Sequence, residues 1–124
     1  MTRTPTISLV PTAVDLALYA GDGARLGIIV RDTAGEAVVL DGTVAAQIRA
    51  QRPDPVALEA FQVDIVDADA GSVVLSLTGE QTAGLLNGDA KFEGAWDVQW
   101  TPAGEQPLTV VQGKVTCVLD VTRG

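Results

Sequence analysis

Histidine is absent from this chain of 124 residues, and with it go the commonest general base near neutral pH and the usual zinc ligand. Cysteine occurs once, at Cys117, so neither an internal disulfide nor a cysteine metal cluster can form. A Ser-His-Asp or Cys-His enzyme is thereby excluded, which leaves carboxylate, lysine or tyrosine chemistry. Positive charge is scarce: 8 Lys and Arg stand against 16 Asp and Glu, for a net charge of −8. Nucleic-acid backbones are bound by clustered Lys and Arg, and the sequence has no such cluster, so nucleic acid is not an expected partner. The acids are scattered over turns rather than set in dense rows, which suits the solubility of an assembling protein better than mimicry of DNA. No apolar run approaches the ~20 residues of a membrane span. The opening "MTRTPTISLVPT" lacks the basic-then-apolar profile of a secretory signal. The sequence therefore predicts no membrane partner and synthesis in the cytoplasm.

What is present is apolar residue content of 47% laid out with period two, the mark of half-buried strands. Leu16 and Leu18 alternate with Ala17 and Tyr19. Leu26, Ile28 and Val30 share one face, with Arg25 and Arg31 on the other. "TAGE" predicts a turn, "AVVL" a short strand, and Asp41-Gly42 a tight reversal into "TVAAQIRAQ", where Ala46 and Ile48 face inward. "RPDP" reads as a break. The apolar parity then changes near Ala60–Phe61, which predicts a bulge or bend. "SVVLSL" presents Val73, Leu75 and Leu77 on one face.

One helix is expected. Thr78 with Gln81 three positions on has capping-box spacing, and Asn87-Gly88 supplies a stop. "KFEGAWDVQWT" then alternates most sharply, with Phe92, Trp96, Val98 and Trp100 opposite Glu93, Asp97 and Gln99. In the last strand the parity flips, and Gly113 predicts a bulge or a crossing between sheets there, with Cys117 and Leu119 inward. The fold class expected is all-β: an Ig-like antiparallel β-sandwich of seven to eight strands with one short helix near 79–87. Residues 1–12, where Pro5 and Pro11 bracket "TISLV", read as an extended N-terminal arm, with an edge strand as the alternative, and 13–124 as a single β-sandwich domain. The expected core is Leu16, Leu18, Ile28, Val30, Ile48, Phe61, Leu75, Phe92, Trp96, Val98, Cys117 and Leu119.

No catalytic, cofactor or metal site is expected. Exposed tryptophans could stack on sugars, but the parity of Trp96 and Trp100 favours a core, with Trp100 keeping a share of partner contact near its strand end. Asp64, Asp67 and Asp69 before Gly71 faintly suggest a calcium loop, yet the central glycine and distal glutamate are missing, and a solvated turn explains them better. Cys117 reads as an inert core thiol. The more informative signal is apolar residues on the wrong parity: Ile29, Val39, Val66, Val74, Val111 and Val118. All of these but Val66, with Ile7, Leu9 and Val10 of the arm and with Trp100, form the candidate protein interface.

Three stretches, "LALYAGDGARLGIIVRDTAGEAVVLDGTVAAQIRAQ", "VDIVDADAGSVVLSLTGEQTAGL" and "WDVQW…LTVVQGKVTCVLDVT", resemble small β-sandwich proteins of tailed bacteriophages. Two families come close: the N-terminal domains of phage baseplate upper proteins, and the tail-fibre collar β-sandwich family. The positions that carry the resemblance are Gly21-Asp22, Asp32, Gly35, Leu40, Gly42, Gly71, Leu77, Thr78, Trp96, Gly113 and Val121, all turn or core positions. The resemblance implies a non-enzymatic virion protein that acts by homo-oligomeric assembly, with copies of itself and other phage structural proteins as partners. The chain ends directly after the expected sandwich, which argues against a baseplate hub and leaves collar, tail accessory or capsid-associated roles open; a tail, collar or head–tail accessory protein is the leading expectation. A capsid decoration protein is the alternative. A glycan- or calcium-binding module is the reading from another class.

Overall fold

Nine strands and one helix form in residues 12–32, 34–51 and 57–119, the part of the chain that the computed structural model describes. The strands are β1 (Thr12–Ala13), β2 (Leu16–Ala20), β3 (Ala24–Ile29), β4 (Thr43–Arg49), β5 (Glu59–Ala60), β6 (Gln62–Asp67), β7 (Ser72–Leu77), β8 (Lys91–Thr101) and β9 (Leu108–Leu119). The helix α1 spans Gly79–Leu86, between β7 and β8. The protein is all-β with this one short helix. A six-stranded sheet has the order β1-β9-β8-β4-β5, with β2 also paired to β9, and a three-stranded sheet has the order β3-β7-β6. Both sheets contribute to one buried cluster, in which Ile48, Trp96, Val98, Val115 and Cys117 of the larger sheet join Val73, Leu75 and Leu77 of the smaller.

Alternation sets the inner face. Along β8, Trp96, Val98 and Trp100 are buried while the intervening residues are half-buried, and the Phe61 ring meets Trp96 at a centroid distance of 5.7 Å. The Ala60–Phe61 parity change is a change of sheet. Ala60 pairs with Gln47 in the larger sheet, and Gln62 pairs with Ser76 in the smaller. Phe61 between them is buried and donates its N–H to the Ala46 carbonyl at 2.9 Å.

The helix begins on a complete capping box, with the Thr78 hydroxyl accepting from Gln81 N (3.1 Å) and Gln81 Oε1 accepting from Thr78 N (2.9 Å). Asn87 ends it in the left-handed region at φ 48°, a conformation that Asn tolerates better than most residues. At only eight residues the helix depends on its docking. Leu85 and Leu86 enter the core. The fully buried Thr82 accepts from Gly21 N (3.0 Å) and donates to the Asp22 carbonyl (2.9 Å).

Several expectations are corrected. The sheets are not purely antiparallel, because β1 and β2 both run parallel to β9. Thr12, expected in the arm, pairs with Val111. "AVVL" is no strand: Arg31–Ala37 is an isolated bridge, Val38 donates to the Val30 carbonyl and Leu40 to the Ala68 carbonyl. Its alternation arises because Val38 and Leu40 are buried while Val39 is exposed. Asp41-Gly42 consequently joins no hairpin and carries the chain from the smaller sheet to the larger. The bulge in β9 falls at Val110, since Val98 pairs with Val111 and Gln99 with Thr109. Leu119, expected in the core, is 56% exposed because β9 runs past the inner face at its end. Leu16, Ile28 and Phe92 are half-buried against the core rather than within it. The "RPDP" break and Val121 lie outside the described residues.

Candidate interaction surface

The interface candidates divide by burial. Trp100, at 1% exposure, and Val111 are core residues. Trp100 donates Nε1–H to the Asp41 carbonyl at 2.7 Å. Val111 looked off-parity only because the flip was placed at Gly113; the bulge at Val110 turns Val111 inward with Val115 and Cys117. Val74 and Val118 are half-buried. Ile7, Leu9 and Val10 lie outside the described residues. Ile29, Val39 and Val66 are exposed, at 52%, 58% and 64%.

Backbone placement brings these last three to one end of the three-stranded sheet. Ile29 and Asp67 both pair with Ser72, and Val66 is the residue skipped by the register shift beside Asp67. Val39 stands between Val38, bonded to Val30, and Leu40, bonded to Ala68. Here the turn acids have a structural use: Asp67 caps a 3₁₀ turn at Ala68–Ala70, its Oδ1 accepting from Ala70 N at 3.3 Å. Asp32 likewise accepts from Ala34 N and Glu36 N. Such local bonding is what Asp favours in turns.

Tyr19, Leu58, Ile65 and Leu119 are also exposed; parity set Tyr19 opposite Leu16 and Leu18, and did not single out the other three as surface. Ile65 has inward parity but sits on an edge strand, where a side chain is covered from one side only. Tyr19 sits on the outer face beside Val118, whose other neighbour is Lys91. Farther along that face Arg49 pairs with Asp97 at 3.3 Å and is hydrogen-bonded to Gln47.

The chain matches no family model and no curated protein. Clefts also open among the described residues. One of about 390 Å³ lies at the C-terminal end of α1, where Leu58, Leu86 and Phe92 are mixed with Glu59, Asp89 and Lys91. Another of about 280 Å³ lies between β2 and β3, beside Tyr19 and Arg25.

Burial pushes the Cys117 thiol above its ordinary value, and its Sγ donates to the Thr82 carbonyl at 3.4 Å. The thiolate is the reactive form. Labelling of the native protein with a thiol-specific disulfide reagent at pH 8 is therefore expected to be at least a hundredfold slower than in denaturant. Because the unfolded thiol ionises first, stability falls as pH rises past the ordinary thiol value, until the folded thiol also ionises. Fast native labelling would show that Cys117 is accessible.

Proposed function

We propose that this protein is a non-enzymatic structural component of a tailed-phage virion, of tail, collar or head–tail accessory type, that works by oligomeric assembly. The observation that carries the reading is the gathering of exposed Ile29, Val39 and Val66 at one end of a three-stranded sheet. Apolar surface collected in this way usually marks a protein contact. The resemblance to phage β-sandwich proteins supplies the setting, and other virion proteins and copies of this chain are the partners. The absence of histidine and the buried single thiol are consistent with a role that needs no chemistry.

Quantitative mass spectrometry of purified particles tests this. The chain should be recovered at a copy number matching a ring or a larger symmetric set, and should resist removal by salt washing. Particles that lack it, while infected cells contain it free, would overturn the reading. A decoration protein would instead be found in numbers that scale with the capsid lattice.

A further inference from the structure

We infer that copies of this chain join through the two open edges of the three-stranded sheet, β3 of one copy laid along β6 of the next. This rests on the assembly reading and names its contact: the partner is a second copy of the same chain.

Both edges are open among the described residues. β3 pairs only with β7, and so does β6. Val30 donates to the Gly71 carbonyl, on the β7 side. Strand alternation then turns the backbone groups of Arg25, Gly27 and Ile29 away from β7. On β6 the same alternation turns those of Val63 and Ile65 outward. An open row of this kind is a template for pairing with another chain. The bulge at Val66 ends the regular stretch, so pairing is confined to Gln62–Ile65.

The edges are opposite in charge. Exposed Arg25 and Arg31 flank the β3 edge, and exposed Asp64, Asp67 and Asp69 run along the β6 side. None of the five makes an ion pair among the described residues. The two like edges would repel, whereas β3 against β6 brings unlike charges together. Arg25, Ser76 and Gln62 form one row of the sheet, and Gly27, Val74 and Asp64 the next. In register, a neighbour's Gln62 therefore faces Arg25 with Asp64 on the diagonal, within reach of a long side chain. Since β3 and β6 each run antiparallel to β7, they run parallel to one another, and the joint is head-to-tail. Such a contact closes into a ring or extends as a filament.

Sedimentation of two complementary variants decides the matter. The unmodified protein should exceed its monomer mass of 12.8 kDa as concentration rises, and should dissociate with salt. Arg25→Glu/Arg31→Glu has two acidic edges and Asp64→Lys/Asp69→Lys two basic ones, so each alone should remain monomeric. Mixed one to one they should associate again, because every joint is then between unlike edges. Hydrogen exchange of the unmodified protein adds a reading independent of variant folding: the amides of Gly27, Ile29, Val63 and Ile65 should gain at least tenfold protection on association. An unmodified protein that stays monomeric, or one that associates while these amides are unprotected and both variants still associate, would overturn the edge joint. Either result leaves recovery from particles as the separate measure of the virion role.

Discussion

Replacing Gly113 with alanine is expected to cost about 3–5 kcal/mol, by adding overpacking to the loss of a buried hydrogen bond. Gly113 pairs with Trp96 across β8 and β9, and having no side chain there lets the kink between β1 and β2 settle into the gap. A Cβ built on Gly113 would lie 1.8 Å from the Val14 carbonyl oxygen, the oxygen that accepts the Trp96 Nε1–H at 2.7 Å. Asp15 fastens the same kink, its Oδ1 accepting from Lys114 N at 3.0 Å. The extra methyl therefore expels Val14, strands the indole N–H and loosens β2 from β9. Denaturation in urea should show a large fall in midpoint, and exchange should quicken at the amides of Leu16–Ala20. Gly27→Ala is the control, since nothing lies within 4 Å of an added Cβ there; its change should stay within about 0.5 kcal/mol. A Gly113→Ala protein as stable as this control would show that Val14 does not need the gap.

The same glycine shows how far the sequence could be read. Gly113 stood out because the apolar parity of the last strand changes nearby, and a bulge was the natural inference. The bulge is real but lies at Val110, three residues earlier, and Gly113 serves a contact with a segment nearly a hundred residues away in the chain. Parity registers which face a residue lies on; it carries no information about which distant backbone needs room. By contrast the helix cap at Thr78 and Gln81 was legible in full, because every atom of a capping box belongs to one local stretch. The Ala60–Phe61 change was legible as an irregularity, and only the pairing partners reveal it as a change of sheet. "AVVL" misled for a related reason. One exposed residue between two buried ones satisfies the alternation template whether or not a ladder forms, and here Val38 and Leu40 are bonded to two different neighbours.

The candidate surface was legible in the same partial way. Ile29, Val39 and Val66 were singled out by parity, and they are exposed. Their proximity could not be read, because it depends on Ser72 pairing with Ile29 on one side and Asp67 on the other. Nor could the charge division between β3 and β6. Arg25 and Arg31 looked like ordinary polar-face residues until the topology made their strand an edge. Three acids in a turn looked like a faint calcium loop until the turn proved to use Asp67 as its own cap.

Trp100→Ala should destabilise the protein by about 3–5 kcal/mol, the range for removing a large buried aromatic. The side chain is 1% exposed, and its Nε1–H reaches the Asp41 carbonyl at 2.7 Å. Asp41 Oδ1 in turn accepts from Ala103 N at 3.4 Å. Gly42, at φ 76°, would place a Cβ 2.0 Å from the Thr101 carbonyl oxygen, so this corner closes tightly on the end of β8. Trp100 therefore fastens the strap that carries the chain from the smaller sheet to the larger. Trp100→Phe keeps an aromatic ring in the core and loses only bulk and the donor. Its cost should be nearer 1–2 kcal/mol, roughly that of one hydrogen bond and a small void. The order alanine well above phenylalanine is the signature of packing. A sugar-stacking platform would behave in the opposite sense: alanine would leave the melting temperature unchanged and abolish a fluorescence response to oligosaccharide. With Trp96 also 1% exposed, the unmodified protein should emit in the blue and stay unmoved by oligosaccharide or calcium.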